Sequence, residues 1–434
     1  MLVLEARDTI GGGARTAELT LPGFRHDVCS AIHPLAAASP FFASLDLGID
    51  FVEPPAALAH PFDDGTALLV YRSLEQTVAA LGGDGDAYRK LLAPAVEAWP
   101  KLAGELLGPV VHLPRHPVGL ARFGASAVRG ALGVTQRFES DTTRALFLGA
   151  AAHSALPLDA HGSAGFGLIL LTLAHLASWP FPRGGSQAIA DALAARLRAL
   201  GGDIETRREV TALDELPSSN VVICDVTPRQ LDALAGDALP TRYRRRLRRW
   251  RYGPGIFKVD YALDGPIPWT APDVALAATV HLGGSSAELV EAERAPWQER
   301  HAGRPFVLLA QQTLFDDTRA PAGKHTAWAY CHVPHGSTVD VRASVDAQIE
   351  RFAPGFRDLV LAAATRNTSE LERDNANLVG GDIYGGANTL RQLIGRRSYS
   401  TPVRGLYLCS AATPPGGGVH GMCGYGAARA ALRS

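Results

Sequence analysis

Residues Gly405–Ala430 read GLYLCSAATPPGGGVHGMCGYGAARA, and this stretch decides the fold. GLYLC has the composition of a short buried parallel strand. Pro414–Gly418 is a proline/glycine turn, and Gly418–Arg433 reads as a closing helix. Gly418, Gly421 and Gly424 recur every three residues, which predicts a face near the helix start with almost no side chain. Uncapped N–H groups and the positive dipole end sit at such a start. A flat ring suits this face, and a flavin is a good candidate. The N1–C2=O edge of a flavin gains negative charge on reduction, and a helix N-terminus stabilises that charge. Tight helix packing also uses small residues, but packing alone does not ask for three glycines ahead of a helix.

The same kind of feature stands at the front of the chain. Leu2–Thr16 reads LVLEARDTIGGGART, an apolar strand that ends in an acid and meets a glycine turn. In a dinucleotide fold an acid at the end of the second strand accepts hydrogen bonds from ribose hydroxyls, which assigns Glu5. Gly11, Gly12 and Gly13 let the backbone approach a cofactor, and Arg7 and Arg15 can neutralise phosphate on its adenosine side. An ordinary strand and turn is the equal alternative. A third glycine turn, Arg183-Gly184-Gly185-Ser186, precedes a helix whose stripe is Ile189, Leu193, Leu197 and Leu200. Ser186 is its expected N-cap, and the turn reads either as an anion or ring-edge site or as a plain cap.

Parallel-type strands therefore fall at the start, in the middle (Glu209–Leu213 and Val221–Cys224) and at the end. Between them lie a mostly helical stretch, 74–150, and four strand-like runs at 255–262, 275–282, 305–312 and 326–333. Phe352–Ala364 reads as a further helix. The expected architecture is α/β. A discontinuous Rossmann-like FAD/NAD(P)-binding domain (1–58, 184–250 and 396–434) is interrupted by an α+β substrate domain with an antiparallel sheet (59–183 and 251–395).

The chain has 434 residues, 47% apolar and 20% charged, with a net charge of −1, so a basic field for nucleic acid is missing. Five scattered cysteines with no CxxC give neither a disulfide framework nor a dithiol pair, and no metal site is expected. GxSxG, GxxxxGK[ST] and HExxH are all absent, which removes the usual support for hydrolase, P-loop and zinc-protease chemistry. The first residues lack the flanks of a signal peptide, which points to the cytoplasm. Ser163–Trp179 is the most apolar run; it holds two glycines and His175 and reads as a buried helix under a cavity. Arg242–Arg251 carries seven arginines. A solvated helix face is their commoner meaning, and peripheral contact with anionic lipid is the other. In WAYCHVPH, strand alternation puts Trp328, Tyr330 and His332 on one face. With His175 and Trp179 they form the expected pocket for a small hydrophobic substrate, where His332 or His335 can move protons. Core aromatics with a satisfied histidine are the plainer alternative.

LEARDTIGGGART, PRGGSQAIADALAARLRALGGDI, GPGIFKVDYALDGPIPW and the closing motif resemble the phytoene dehydrogenase-like FAD-dependent oxidoreductases of the amine-oxidase and carotenoid-desaturase clan. Within that clan the nearest likeness is to the pyridine nucleotide-disulfide oxidoreductase domain-containing protein 2 branch. The resemblance implies FAD, with Glu5 on the adenosine ribose and Arg7 and Gly11–Gly13 along the cofactor. It implies a Val210 strand beside the adenine. It also implies that Thr413 and the run Gly416, Gly417, Gly418, Val419, His420, Gly421 and Met422 meet the isoalloxazine. The expected reaction is hydride transfer from a substrate C–H to flavin N5. Two departures stand out. Ser410, Ala412 and Pro414 replace a pattern that carries a histidine in relatives. The chain also begins at the second strand of the nucleotide fold, without the first β–α unit and its GxGxxG. The favoured expectation is a start inside a longer protein. The alternative is a natively short, non-catalytic fold acting as an interaction or regulatory protein.

Overall fold

The computed structural model describes residues 1–396 and 398–433; Arg397 and Ser434, both within the expected segment 396–434, lie outside the described residues. Its centre is a seven-stranded sheet. In spatial order the strands are Val360–Arg366, Gly255–Leu263, His325–Val333, Val307–Ala310, Ala277–Leu282, Ala56–Pro61 and Ala67–Tyr71. The sheet is mixed rather than wholly antiparallel, because Ala56–Pro61 runs parallel to Ala277–Leu282. Strand Gly255–Leu263 is buried at every position because both faces of the sheet are covered. Phe257, Val259 and Tyr261 pack toward Val345, Ile349 and Phe352 of helix Arg342–Phe352. Ile256, Leu308, Trp328 and Tyr330 face the opposite core with helices Asp141–Ala152 and Ser163–Ala177. Each fully buried side chain of this size contributes about 1.5–3 kcal/mol.

The predicted helix Phe352–Ala364 is wrong. The helix ends at Phe352, Pro354-Gly355 breaks the chain, and Val360–Arg366 pairs with Lys258–Leu263 as the sheet's edge strand. Local composition is helix-compatible there, and strand pairing overrides it.

Strands from the start, middle and end of the chain form two parallel pairs. Leu2–Leu4 lies beside Asp203–Glu205, and Leu406–Leu408 beside Val222–Cys224. Their carboxyl ends approach one another closely enough for the charge of Glu5 to act on Asp225. The predicted strand Glu209–Leu213 does not form. Arg207 takes a left-handed φ of 57°, and its N–H and that of Arg208 go to the Arg7 and Glu5 carbonyls. Beyond them the Glu215 carboxylate captures the Thr211 N–H. Val210 is therefore in irregular backbone, not in a strand beside an adenine. Among the described residues no helix is long and apolar enough to cross a membrane.

The third glycine turn is also read differently by the structure. Ser186 makes no side-chain cap; its hydroxyl bonds His33 Nε2 at 2.7 Å and donates to the Ser30 carbonyl. The N–H groups that would have met an anion already have two internal ones. Gly184 N donates to Asp316 at 2.7 Å and Ser186 N to Asp27 at 2.7 Å. Arg319, 1% exposed, joins them: Nη1 donates to Asp27 at 2.7 Å, Nε to Asp316 at 2.9 Å and Nη2 to the Pro182 carbonyl at 2.9 Å. Arg319→Leu leaves two buried carboxylates without their cation and should cost about 3–5 kcal/mol. Urea unfolding measures this, and a loss under about 1 kcal/mol would show that the knot does not hold the molecule together.

Candidate functional site

The candidate site is built from three loops and the inner face of the sheet. At the end of strand Leu2–Leu4, the Glu5 carboxylate accepts the Arg7 N–H at 2.8 Å, so the acid is fixed at the strand terminus while Arg7 is exposed. Gly11 (φ 115°) and Gly12 (φ 52°) turn the chain back in the left-handed conformation that favours glycine. Arg15 is not free for a phosphate: Nε donates to the Gly12 carbonyl and Nη2 to Asp374 O. Gly13 stands against the Cys29 side chain, 3.7 Å from where its own Cβ would be.

The closing helix starts at Met422, not Gly418, so Gly418, Gly421 and Gly424 do not share one bare helical face. Each glycine answers a local demand. Gly416 (φ 125°), Gly418 (φ 133°) and Gly421 (φ 68°) hold left-handed backbone. A Cβ on Gly418 would come within 2.6 Å of Leu35, one on Gly421 would strike Phe41, and one on Gly416 would strike Arg396. Only Gly424 of the three periodic glycines faces open space. The short helices Pro34–Ala37 and Pro40–Ala43 bring Leu35 and Phe41 there, and Ser39 Oγ donates to the His420 carbonyl at 2.6 Å to lock them down.

What the turn does present is backbone. Among the described residues no acceptor takes the N–H of Gly417, Gly418 or Val419, and Gly418 is exposed. His420 folds back: its Nδ1 accepts the Met422 N–H at 3.0 Å and its Nε2 meets the Gly416 carbonyl at 3.1 Å. Burial pushes this imidazole down to about 4, which keeps it neutral. Thr413 is buried with its hydroxyl given to Ser410 O, and Met422 packs with Trp99 and Leu173. The open N–H row and the Glu5 carboxylate fit the electron-rich ring edge and the ribose of a flavin dinucleotide. Thr413, His420, Gly421 and Met422 instead support the turn from behind.

A Cβ on Gly417 would come within 3.0 Å of the Tyr384 Cα, so a glycine here lets the turn pass close to the Tyr384 backbone. The Tyr384 side chain lies beside the Tyr330 phenol, and this proximity links the glycine turn to the sheet's inner face. There Trp328, Tyr330 and His332 stand in a row with ring centroids 5.1 Å and 5.8 Å apart. His332 Nδ1 is held by Glu293 at 2.9 Å, while His332 Nε2 and Trp328 Nε1 are buried without a partner. Trp179 joins through His281 (5.7 Å) and His153 (5.5 Å). His175 does not, because it bonds the Tyr88 hydroxyl and the Tyr71 carbonyl.

Several inner-face residues escape a reading by motif. Lys258 and Asp260 lie two apart on one strand, form a buried ion pair, and come near Trp328 (5.8 Å from Lys258 Nζ) and His26 (3.7 Å from Asp260). Burial drives both partners toward their neutral forms. The signal for the pair is a lysine and an aspartate at strand spacing inside an apolar run, in a chain with few lysines. His60, His153, His281, Glu293 and Tyr384 carry no such signal, since tertiary contact alone unites them.

No protein-family model matches the chain. The chain is a distant homologue of pyridine nucleotide-disulfide oxidoreductase domain-containing protein 2. The rat and mouse proteins are each 27% identical over 348 residues, which is 69% of this chain and 59% of theirs, so the match spans less than two thirds of those relatives. Solved structures share the fold over the full chain. An oxidoreductase from Methanosarcina mazei has a TM-score of 0.64 at 15% identity, with 100% of this chain and 94% of that one covered. A putrescine oxidase redesigned in cofactor binding has 0.63 at 16%, with 100% and 93% covered. The cyclohexylamine oxidase of Brevibacterium oxydans has 0.53 at 15%, with 100% and 93% covered. The fold is thus one used by oxidoreductases, amine oxidases among them.

Burial holds His60 and His420 down to about 4 and His153 to about 3, and pushes His281 well below its ordinary value. Their unfolded forms protonate near 6.5, so the unfolded state binds more protons as pH falls below that value. Stability should be full above about pH 6.5 and drop steeply toward pH 4. Urea midpoints measured across this range should show an uptake of about three or more protons on unfolding. A flat profile between pH 6.5 and 5 would mean that these rings are solvated.

Proposed function

We propose that this chain is an FAD-dependent oxidoreductase that removes hydride from a C–H bond of a small hydrophobic substrate. The observation that carries the reading is the row of open N–H groups at Gly417–Val419, joined through Tyr384 to the aromatic inner face of the sheet. When bound, FAD supplies the acceptor for the two electrons and hydrogen leaving the substrate carbon. The chain's residues then have distinct tasks. The Glu5 carboxylate accepts hydrogen bonds from ribose hydroxyls. The N–H row stabilises negative charge at a ring edge. Trp328, Tyr330 and Trp179, with the apolar helix Ser163–Ala177, exclude water from the reacting carbon. His332, oriented by Glu293 on Nδ1, can hold or accept a proton at Nε2 where a substrate heteroatom requires it.

The test is to purify the protein, add FAD and follow visible absorbance and flavin fluorescence. The expected result is a bound, coloured protein. Glu5→Gln should weaken uptake by about tenfold, the value of one hydrogen bond to a charged acceptor, with no change in urea midpoint. A colourless protein that takes up no added FAD would refute the proposal. Unchanged affinity in Glu5→Gln would refute the placement of the ribose.

A further inference from the structure

The loop and helix that follow helix Gly85–Leu106 form a surface that the oxidoreductase reading leaves unused. Residues 106–138 contain four arginines and not one Asp or Glu. Within this stretch the chain exposes large apolar side chains. Leu113 is 93% exposed, Val118 82%, and Val110, Val111 and Val128 are each about half exposed. Helix Pro117–Ala127 has no buried residue. Its outward face carries Val118, Ala121, Arg122 and Ala125, at helical spacing, while Gly119 approaches Leu102 and Phe123 packs on the core behind it.

The loop is held, not loose. Glu105 is buried, and its carboxylate binds the His116 N–H at 3.0 Å, His116 Nδ1 at 3.0 Å and His112 Nε2 at 3.1 Å. One sequestered acid thus fixes both ends of the segment that carries Leu113. Among the described residues no carboxylate pairs with Arg115, Arg122 or Arg129, and the nearby Asp159 is taken by Arg294. An apolar tip ringed by unpaired guanidinium groups and stripped of acids is complementary to an anionic bilayer surface: the aliphatic side chains enter the acyl boundary and the arginines meet phosphate.

The arginine-rich helix expected to touch lipid is less suited. Arg244 and Arg248 are engaged by Asp232 and Asp237, and Arg246 donates to the Gly395 carbonyl.

We infer that residues 110–129 are a membrane-docking surface that seats the protein on anionic lipid without crossing it. Sedimentation with vesicles tests this, comparing phosphatidylcholine alone with phosphatidylcholine plus phosphatidylglycerol. The protein should sediment with the anionic vesicles and be released by salt. The double variant Leu113→Asp/Val118→Asp should bind at least about tenfold more weakly. Arg115→Glu/Arg122→Glu should also lose about tenfold or more. Arg242→Glu/Arg245→Glu should bind as the parent does. All of these positions are exposed, and circular dichroism and gel filtration confirm that each variant is folded. Several outcomes would overturn the inference: no binding to either vesicle, equal binding to phosphatidylcholine alone, or loss only in the Arg242/Arg245 variant. So would a parent dimer that Leu113→Asp/Val118→Asp splits without any vesicle binding, since the patch would then be a contact between two copies.

Discussion

The Asp27–Arg319–Asp316 knot is the constraint on which the rest of the structure depends. Asp27 belongs to a hairpin strand near the chain start, Arg319 and Asp316 to the loop before strand His325–Val333, and their other partners to the turn Gly184–Ser186. A carboxylate this deep is unfavourable unless a cation and N–H donors surround it, and here it has both. Arg319, the Ser186 N–H and Thr16 hold the Asp27 carboxyl below its usual range against the opposing pull of burial. Three distant pieces of chain must therefore arrive together, or each leaves a charge stranded. The same knot sets where helix Gln187–Ala199 begins and where the Gly11–Gly13 turn lies against it, since Gln187 donates to the Ile10 carbonyl.

The strands were legible where a periodicity of two coincided with turn residues at both ends. Gly255–Leu263, Ala277–Leu282 and His325–Val333 fall within two residues of their expected bounds. Two errors have one cause. Val360–Arg366 and residues 209–213 have composition suited to either state, and only the presence or absence of a pairing partner decides. Lys258–Leu263 supplies that partner to the first; Arg207 turns the second away from Leu2–Leu4. A partner more than a hundred residues away in sequence leaves no local trace.

The site divides in the same way. Glu5 and the Gly416–Val419 turn carry local signals, an acid at a strand end and glycines at special backbone angles, and the structure sets both where backbone and carboxylate are accessible. The glycines serve a different purpose from the one their spacing predicts. Spacing of three suggested an empty face, yet Leu35, Phe41 and Arg396 come up against those positions. Left-handed backbone and close packing demand glycine as firmly as a ligand does, and sequence spacing cannot separate these demands. The inner-face residues His153, His281, Glu293 and Tyr384 come from separate elements, so only the fold could gather them.

Electrostatics links the core to the chemistry the fold supports. On the sheet's inner face, burial drives His60, His153 and His281 toward neutrality, and Lys258 and Asp260 each toward the uncharged form. An environment that suppresses charge favours neither a carbanion nor a free ammonium in its midst. Under the proposed hydride removal the substrate carbon would be left electron-deficient, so a proton must leave a neighbouring heteroatom to keep it uncharged, while the negative charge of the hydride appears on the acceptor. The open N–H row at Gly417–Val419 is where this molecule can stabilise such charge, and Tyr384 lies between the two regions, keeping the apolar face and the charge-accepting turn adjacent yet distinct.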